Sequence, residues 1–286
     1  MADARLCLIT GANSGIGRVT ALELAKKGFD IIMLCRNFDK ARPVRDDIKR
    51  VSKTGRVDLL RCDIGDFDSV RQAAREVNDR YDHLDVLVNN AGLLIQKQQF
   101  SPQGIELTFA TNHLGAFLLT NLLLDLLRKG ENARVITVSS AAHRFTGSFK
   151  IDELAKPRSY NALTAYGASK LANILFANEL AKRLLDDGIT SNSLHPGAVA
   201  TNFGAGGGLV SLLTRVARPF FISPEEGAET SVYLAASPEV EHVTGLYFDK
   251  KKPATSSSDA QSDYNARRLW TVSEELTQLK QPIIPA

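Results

Sequence analysis

The chain has 286 residues, a length that favours one large domain or two small ones, and 44% of the residues are hydrophobic and 23% charged. Disordered chains, collagens and coiled coils have other compositions, so these classes are excluded. The 35 Lys and Arg against 32 Asp and Glu leave a net charge of +3. Such a balance gives no electrostatic footprint for nucleic acid, and we expect the protein to bind neither DNA nor RNA.

The three cysteines, Cys7, Cys35 and Cys62, each lie in or beside an apolar run. An odd number of cysteines in such runs predicts buried free thiols and a reducing compartment. The first residues lack the basic and long apolar regions of a secretory signal, and the longest apolar stretch, 116–127, is interrupted by polar residues. We therefore expect no signal peptide and no transmembrane helix, and a protein that is cytoplasmic or peripheral to a membrane.

Short β-branched and apolar runs alternate with longer segments of helical period along the sequence. The predicted strands are Leu6–Thr10, Asp30–Cys35, Val57–Cys62, Val86–Asn89, Arg134–Ser139, Thr190–Leu194 and Gly245–Phe248. The predicted helices are Ile16–Lys27, Phe38–Lys53, Phe67–Arg80, Gly104–Leu127, Thr164–Leu185 and Pro224–Ala236. This alternation predicts an α/β fold, a single-domain Rossmann-type doubly wound parallel sheet of about seven strands with helices on both faces. We assign residues 1–286 to that one domain.

The first predicted strand runs into a glycine-rich turn, and a helical pattern follows at once. Glycines at such a turn let the backbone approach a pyrophosphate, and the helix N-terminus presents N–H groups and a positive dipole end to it. The glycine spacing differs from G-x-G-x-x-G, so the position between strand and helix is what points to a dinucleotide. The predicted cofactor-binding residues of this turn are Gly11, Asn13, Ser14, Gly15, Ile16 and Gly17.

Arg36 follows the second predicted strand, at a position where a carboxylate would accept a hydrogen bond from the ribose 2′-OH of NAD. An arginine pairs with a 2′-phosphate instead, so the sequence favours NADP(H), with a solvated surface arginine as the alternative. The ends of the third and fourth strands fall at the same edge of a parallel sheet. The predicted cofactor contacts there are Asp63, which would hydrogen-bond the adenine, Ile64, and Asn90, Ala91 and Gly92 along the adenosine ribose.

Tyr166 and Lys170 stand four residues apart at the start of a long helical pattern, so both side chains lie on one face of the helix. A nearby ammonium lowers the pKa of a phenol, and the tyrosine then becomes usable as an acid or base near neutral pH. Tyr-x-x-x-Lys also recurs by chance on surface helices, so this interpretation needs further polar groups. Ser140, after the fifth strand, and Asn112, within the helix after the fourth, supply them as catalytic candidates.

Taken together, these residues resemble the classical short-chain dehydrogenase/reductase family, whose motifs occur here in the family's order over nearly the whole length. The matching motifs are Thr10-Gly11-x3-Gly15-x-Gly17, Asn89-Asn90-Ala91-Gly92, Asn112, Ser140, Tyr166-x3-Lys170 and Pro196-Gly197. Within the family the chain is most similar to the retinol dehydrogenase group. The motifs behind that similarity are Cys35-Arg36, Asn112-His113-Leu114-Gly115, Ser139-Ser140-Ala141-Ala142-His143, His195-Pro196-Gly197 and Ala266-Arg267-Arg268-Leu269-Trp270.

The resemblance implies a role for each matched catalytic position. It implies that Tyr166 is the general acid/base and that Lys170 binds the nicotinamide ribose and tunes Tyr166. It also implies that Ser140 polarises the substrate carbonyl and that Asn112 supports a proton relay through water. Further cofactor contacts are implied for Pro196, Gly197, Val199 and Thr201, with Thr201 at the phosphate. The chain departs from the family pattern in two ways. The membrane anchor of many members is not seen, and the interval between Ser140 and Tyr166 is lengthened around 151–159.

Two segments break the alternation of strands and helices. Residues 202–222 pair a glycine-rich stretch with a short apolar run, and their place after Thr201 favours a mobile lid over an apolar substrate, with core packing as the alternative. The candidate lid residues are Phe203, Leu209, Leu212, Leu213 and Phe220. The C-terminal part, 250–286, begins with a charged, Ser-rich surface loop over 250–263, and a last helix follows near Tyr264–Leu279.

The expected function is hydride transfer between NADP(H) and a lipophilic alcohol, aldehyde or ketone, a retinoid being one candidate. The alternatives are a carbonyl reductase for steroids or small xenobiotic carbonyls, and a non-catalytic NADP(H)-binding regulator. A peripheral membrane contact through 209–221 and a homodimer stay open beside the lipophilic substrate. His113, His143 and His195 are isolated rather than clustered, so we assign them to structural hydrogen bonds and predict no metal.

Overall fold

One open sheet of eight strands forms the centre of the computed structural model, which describes residues 4–197 and 222–279. The strands are β1 (Leu6–Thr10), β2 (Asp30–Cys35), β3 (Val57–Arg61), β4 (Val86–Asn89), β5 (Arg134–Val138), β6 (Thr190–His195), β7 (Tyr247–Asp249) and β8 (Lys252–Pro253). Their spatial order is β3-β2-β1-β4-β5-β6-β7-β8, and all pairs except β7 with β8 are parallel. The chain reverses its direction of winding between β1 and β4, which confirms the predicted Rossmann-type arrangement.

Helices cover both faces of this sheet. They are α1 (Gly15–Lys27), α2 (Phe38–Val51), α3 (Phe67–Arg80), α4 (Leu107–Phe109), α5 (Gly115–Leu122), α6 (Leu124–Arg128), α7 (Ala162–Arg183), α8 (Pro224–Ala236) and α9 (Asp263–Thr277). On one face α1 packs against β1 and β2, α2 against β2 and β3, and α8 against β4, β5 and β6. On the other face α3, α5, α7 and α9 form a larger core. Strands covered on both sides are apolar throughout, as the near-continuous burial of β1 and β2 illustrates.

Side-chain caps fix where several helices begin. Asn37 accepts a hydrogen bond from the Lys40 amide at 3.0 Å before α2, and Asn161 accepts from the Leu163 amide at 3.0 Å before α7. Each cap satisfies an N–H group that has no partner inside the helix. The predicted start of α7, at residue 164, is two residues too late because the Asn161 cap precedes it. Most other predicted ends differ from the structure by one or two residues.

The single helix predicted over 104–127 is wrong. The structure divides this segment into α4, a π-helical turn (Ala110–Leu114), α5 and α6. The break at Leu123 follows two residues whose side chains bond back to the preceding turn, Thr120 to the Ala116 carbonyl and Asn121 to the Phe117 carbonyl, both at 2.7 Å. Side chains that compete for helical carbonyls in this way weaken or bend a helix.

The predicted surface loop over 250–263 contains an eighth strand that the sequence did not indicate. Lys250 and Lys251 have φ of 48° and 63°, and they turn β7 directly into the antiparallel edge strand β8. Two consecutive positive φ values make a hairpin turn whose usual residues are Asn and Gly. A pair of lysines gives no such signal. Further along, Ala260 is fully buried, so the loop is anchored to the core rather than lying on its surface.

The C-terminal helix α9 packs against α7 and against a short 3₁₀ helix, Ile151–Glu153, in the lengthened interval of the sequence. Arg268 of α9 pairs with Asp152 at 2.5 Å. Within residues 4–197 and 222–279, every helix is too short or too polar to cross a lipid bilayer. The predicted buried free thiols are confirmed, because all three cysteines are buried and unpaired.

Candidate active site

The polar residues singled out by sequence lie together at one edge of the sheet. Gly11 follows β1, Asp63 follows β3, Asn90 follows β4 and Ser140 follows β5, and these strands run parallel. Ligands of open α/β sheets bind beyond the carboxyl ends of the strands, near the point where the winding reverses. Gly11 and Asn90 lie at that point, between β1 and β4.

The glycine turn is built so that the backbone forms its surface. Gly11 and Gly15 have positive φ values of 67° and 51°, which L-residues with side chains rarely adopt. A Cβ on Gly17 would collide with the Asn90 amide nitrogen and lie 2.5 Å from the Gly11 carbonyl oxygen. Only glycine therefore lets α1 approach the end of β4 this closely.

The N-terminus of α1 is suited to an anion. Ser14 is the N-cap residue, yet its side chain makes no capping hydrogen bond within α1, and the first turn of this fully described helix carries no acidic side chain. Amide groups and the positive dipole end are thus presented without a competing carboxylate. Asn13 and Ile16 lie in the same turn. The cradle fits the pyrophosphate of a dinucleotide, with the turn residues 11–17 holding it.

Thr10 links the glycine turn after β1 to the segment after β4. Its hydroxyl oxygen accepts hydrogen bonds from the Asn90 and Ala91 amides, both at 2.9 Å. The Asn90 side chain donates in turn to the Thr10 carbonyl at 2.8 Å. The end of β4 is thereby fixed against the end of β1, and sequence analysis had assigned no contact of this kind to Thr10.

Arg36 and Asp63 face each other just after β2 and β3, at the exposed edge of the sheet. Arg36 is 72% exposed and its guanidinium lies 3.5 Å from the Asp63 carboxylate, while Asp63 also accepts from the Gly65 amide at 3.0 Å. Ile64 is buried, and its carbonyl meets the helix face at Gly115, where a Cβ would not fit. The structure thus places Arg36 and Asp63 side by side, and Ile64 serves packing as well as position.

Asn112 lies in the π-helical turn, fully buried, and both ends of its amide are engaged. Its Oδ1 accepts from the Leu93 amide at 2.8 Å, and its Nδ2 donates to the Leu93 carbonyl and to Ser169 Oγ, both at 2.9 Å. The Ser169 hydroxyl donates to the Tyr166 carbonyl at 2.7 Å. Asn112 therefore connects the segment after β4 with the first turns of α7. A π turn inside an α-helix often marks a functional site.

Lys170 is completely buried and reaches toward Asn112. Its Nζ donates to the Val138 carbonyl at 3.0 Å, and its own carbonyl accepts from Ser139 Oγ at 2.7 Å. A Cβ on Gly92 would lie 3.2 Å from Lys170 Nζ and 3.3 Å from Asn112 Oδ1, so the three residues are neighbours. The helix α7 is thus fastened to the end of β5 at the position of the lysine.

Burial changes the acid–base properties of the Tyr166 and Lys170 pair. It raises the pKa of Tyr166 to about 12, while a hydrogen bond with the Ser140 side chain acts in the opposite direction. Burial also lowers the pKa of Lys170 to about 8. The predicted lowering of the tyrosine pKa by the ammonium is wrong for this structure. Lys170 Nζ lies 5.6 Å from the ring centre of Tyr166, and desolvation of the phenolate is the largest cause of the raised pKa.

Pro196 and Gly197 follow β6 at the same edge. Gly197 has φ of 93°, and a Cβ there would collide with the Ile222 side chain. The remaining predicted contacts and the candidate lid lie outside the described residues. They are Val199, Thr201, Phe203, Leu209, Leu212, Leu213 and Phe220.

A family model of the short chain dehydrogenases matches residues 5–206. The chain belongs to this family. Human retinol dehydrogenase 14 is 41% identical to it over 289 residues, covering 95% of this chain and 86% of that protein. Human retinol dehydrogenase 13 is 39% identical over 284 residues, covering 97% of this chain and 86% of its own length. The resemblance to the family and to its retinol dehydrogenase group is confirmed.

Solved structures agree with this short-chain dehydrogenase fold. A protein from Mycobacterium Paratuberculosis superposes with a TM-score of 0.78 at 34% identity, covering 96% of this chain and 93% of that one. A blue fluorescent protein from a metagenomic library, solved in complex with NADPH, gives a TM-score of 0.69 at 25% identity and covers 86% and 96% of the two chains. The family supports the general class of oxidoreductase for this chain.

Several supporting residues of this short-chain dehydrogenase were missed by sequence reasoning. Ser139 and Ser169 hold the helix that carries the tyrosine, and their only sequence signal is their place beside Ser140 and Lys170. The three histidines do make hydrogen bonds within the fold, His113 to Ser273 Oγ at 2.9 Å among them. Within residues 4–197 and 222–279, no group of three or more His, Cys, Asp or Glu side chains is placed to hold a metal ion.

Proposed function

We propose that this short-chain dehydrogenase transfers a hydride between NADP(H) and a lipophilic alcohol, aldehyde or ketone, with a retinoid as the first substrate to test. The observation that carries the proposal is the meeting of Ser140, Tyr166, Lys170 and Asn112 beside the glycine turn at one edge of the sheet. A proton donor, a group that holds the carbonyl oxygen and a dinucleotide cradle are what carbonyl reduction requires.

Tyr166 is the general acid in this proposal. With its pKa raised to about 12, its phenol is protonated at neutral pH and can donate to the carbonyl oxygen during reduction. In oxidation the phenol first passes its own proton to the relay through Lys170 and water, and the phenolate then accepts the proton of the alcohol. Ser140, which hydrogen-bonds Tyr166, holds the same oxygen, and Lys170 passes the proton onward through water. Asn112 supports this relay by holding the segment after β4 beside Lys170. When bound, the dinucleotide supplies the hydride in reduction and accepts it in oxidation.

The turn 11–17 and the residues after β3, β4 and β6 hold the dinucleotide in this proposal. Arg36 selects the 2′-phosphate of NADP(H), because its guanidinium is exposed at the adenosine side. Position 36 itself is an arginine rather than the carboxylate that would accept a hydrogen bond from the 2′-OH of NAD. Its present pair with Asp63 spans 3.5 Å, and exposed pairs contribute about 0–1 kcal/mol, so the arginine can turn to a phosphate at little cost.

A lipophilic substrate is supported by exposed apolar side chains that are close in the chain to the catalytic residues. Phe145 is 68% exposed and Leu163 is 62% exposed, and they lie just after Ser140 and just before Tyr166 in the chain. The Phe145 carbonyl touches the first turns of α7, where a Cβ on Gly167 would lie 2.8 Å away. Large exposed apolar side chains next to a site favour an apolar ligand. The names of the relatives point to retinol among such ligands.

The direct test is consumption of NADPH and NADH by the purified protein with all-trans-retinal and with a series of straight-chain aldehydes. We expect NADPH to be preferred and kcat/KM to rise with chain length, because each buried methylene contributes up to about 0.8 kcal/mol. A flat profile would contradict the lipophilic substrate. Higher efficiency with a steroid ketone or a small xenobiotic carbonyl than with retinal would support the alternative reductase instead.

The regulator alternative predicts binding without chemistry. In that case NADPH would quench tryptophan fluorescence with ordinary affinity while no alcohol or carbonyl compound was turned over. A single productive substrate contradicts it.

Peripheral membrane contact and homodimerisation stay predictions of the sequence. Flotation with anionic and neutral liposomes tests the first. Light scattering after size-exclusion chromatography tests the second.

A further inference from the structure

Two histidines hold one peptide unit next to the catalytic serine. The carbonyl of Ser140 and the amide of Ala141 belong to the same peptide group. His143 Nδ1 lies 2.7 Å from the Ser140 carbonyl oxygen, and the Ala141 amide donates to His195 Nδ1 at 3.1 Å. The two rings come from different elements, a 3₁₀ helix (Ala141–Arg144) and the end of β6. They therefore fix the peptide from opposite sides.

The hydrogen bonds define the protonation state of both rings. The Ser140 carbonyl can only accept, so His143 Nδ1 carries the hydrogen. His143 Nε2 accepts from the Ser257 amide at 3.1 Å and is therefore unprotonated. His195 Nδ1 accepts from Ala141, so its hydrogen is on Nε2. Both imidazoles are neutral, and they are opposite tautomers.

The surroundings favour these neutral forms. Burial lowers the pKa of His143, the hydrogen bond to the Ser140 carbonyl acts against that shift, and the Arg144 and His195 side chains act with it. The Tyr247 ring of β7 packs edge-on against His143 at 5.2 Å between ring centres. Burial also lowers the pKa of His195, which is faced by the Asp249 carboxylate, acting against that shift, and by Lys250, acting with it.

We infer that His143 and His195 are positioning residues that clamp the Ser140–Ala141 peptide and so aim the Ser140 hydroxyl at Tyr166 and the substrate carbonyl. The inference rests on the proposed role of Ser140. The hydroxyl oxygen accepts from the Ala142 amide at 3.1 Å, so its direction depends on the path of this short segment. Because His143 also bonds Ser257, the clamp extends from the catalytic serine to the segment that follows β8.

The clamp predicts a sensitivity to acid that ordinary packing would not give. A proton added to His143 Nε2 removes the acceptor for Ser257, and a proton added to His195 Nδ1 places a donor against the Ala141 amide. The first event detaches His143 from the Ser257 segment while its bond to the Ser140 carbonyl stays, and the second releases the Ala141 side of the peptide. We therefore expect kcat to fall at acidic pH with an apparent pKa that depends on these two residues.

Matched substitutions separate hydrogen bonding from volume. The asparagine amide places an oxygen or nitrogen close to the position of a histidine Nδ1, so His195→Asn keeps an acceptor for Ala141 and His143→Asn keeps a donor for Ser140. His195→Leu and His143→Leu fill a similar volume but provide neither the acceptor nor the donor. The exposed His242 provides the control His242→Leu. We expect the leucine variants to lower kcat on the order of 10²-fold with KM for NADPH unchanged.

The asparagine variants should recover at least about 10-fold of that kcat and lose the acidic limb that the replaced histidine causes, since asparagine does not titrate. Equal losses for asparagine and leucine, or wild-type kcat in folded leucine variants, would overturn the inference. If a leucine variant does not fold, the pH profile of the asparagine variant decides. If the fall of kcat at acidic pH is unchanged in both asparagine variants, the result contradicts the clamp.

Nuclear magnetic resonance of nitrogen-15-labelled histidine tests the clamp without any turnover. With the five histidines of the wild-type chain assigned by single substitution, His143 should be the Nδ1–H tautomer and His195 the Nε2–H tautomer at pH 7.5. The Nδ1–H signal should disappear in His143→Asn. Fast-averaging or protonated imidazoles at both positions would refute the clamp. Absence of wild-type turnover with these tautomers present would instead refute the proposed function alone.

Discussion

The nucleotide side and the catalytic side of the sheet edge carry their chemistry in different ways. Between β1 and α1 the functional surface is backbone, kept open by glycines such as Gly17, where a Cβ would strike Asn90. Beside β5 and α7 it consists of side chains, and each is held by a group distant in sequence, as Lys170 is by Val138 and Asn112 by Leu93. We therefore expect added Cβ atoms to weaken dinucleotide binding on the first side, and loss of side-chain functional groups to lower turnover on the second.

The largest expected effect comes from removing the phenol on the catalytic side. Tyr166→Phe keeps the ring and removes the transferable proton, so kcat should fall by roughly 10²–10⁴ while the Kd for NADPH stays near its wild-type value. Steady-state kinetics and a fluorescence titration measure the two quantities. The matched control is Tyr264→Phe on α9, whose ring is exposed. Wild-type turnover by folded Tyr166→Phe would remove Tyr166 from the mechanism.

The opposite result is expected on the nucleotide side. Gly17→Ala adds a Cβ that would lie 2.5 Å from the Gly11 carbonyl, so the turn must shift and the Kd for NADPH should rise on the order of 10²-fold. Residual kcat at saturating NADPH should change far less. Gly55→Ala is the control because a Cβ there meets nothing within 4 Å, and the positive φ of Gly55, 73°, adds a backbone strain that Gly17 does not have. Equal Kd values for the two variants would contradict the cradle.

Arg36 tests whether side chains add selectivity to the backbone cradle. A charge-assisted bond to a 2′-phosphate contributes about 1.5–3 kcal/mol, so Arg36→Asp should shift the ratio of kcat/KM for NADPH over NADH by about 10–100-fold toward NADH. Arg50→Asp, on the distant end of α2, makes the same charge change and should leave the ratio unaltered. An unchanged ratio in Arg36→Asp would leave Arg36 as a surface residue.

The smallest expected effect concerns stability. Burial lowers the pKa of Lys170 from 10.5 to about 8, so the folded state binds this proton less tightly than the unfolded state. The resulting destabilisation is complete below pH 8 and disappears as the pH rises through 8 toward 10.5. Lys170→Met should therefore raise the free energy of unfolding by about 1–2 kcal/mol at pH 7 while abolishing turnover.

Urea denaturation at pH 7 and pH 10 measures this effect, and the gain should be smaller at pH 10. The Val138 carbonyl keeps a partner in the variant because Asn173 also donates to it at 3.1 Å. Lys49→Met, on the exposed side of α2, is the control for removing a lysine charge. A variant less stable than wild type at pH 7 would show that the hydrogen bond of Lys170 outweighs its desolvation.

The difference between the two sides also explains which features were predictable. The turn 11–17 lies within one strand–helix junction, so its glycines and its place in the chain are enough to predict a dinucleotide-binding turn. The four catalytic candidates were found from their spacing and their places beside strands and helices, and the family resemblance gave each of them a role. The contacts that hold them, such as Ser169 with Asn112, join residues far apart in the chain and leave no local pattern.

The sequence by itself determined the alternation of buried strands and amphipathic helices, the glycine turn and the order of the motifs, because periodicity and turn chemistry act over a few residues. Only the tertiary structure decided the π turn at Asn112, the Lys250–Lys251 hairpin and the tautomers of the two histidines beside Ser140. It also reversed the expected pKa shift of Tyr166. Burial and hydrogen bonding depend on which distant groups surround a side chain, and that is fixed only when the whole core has packed.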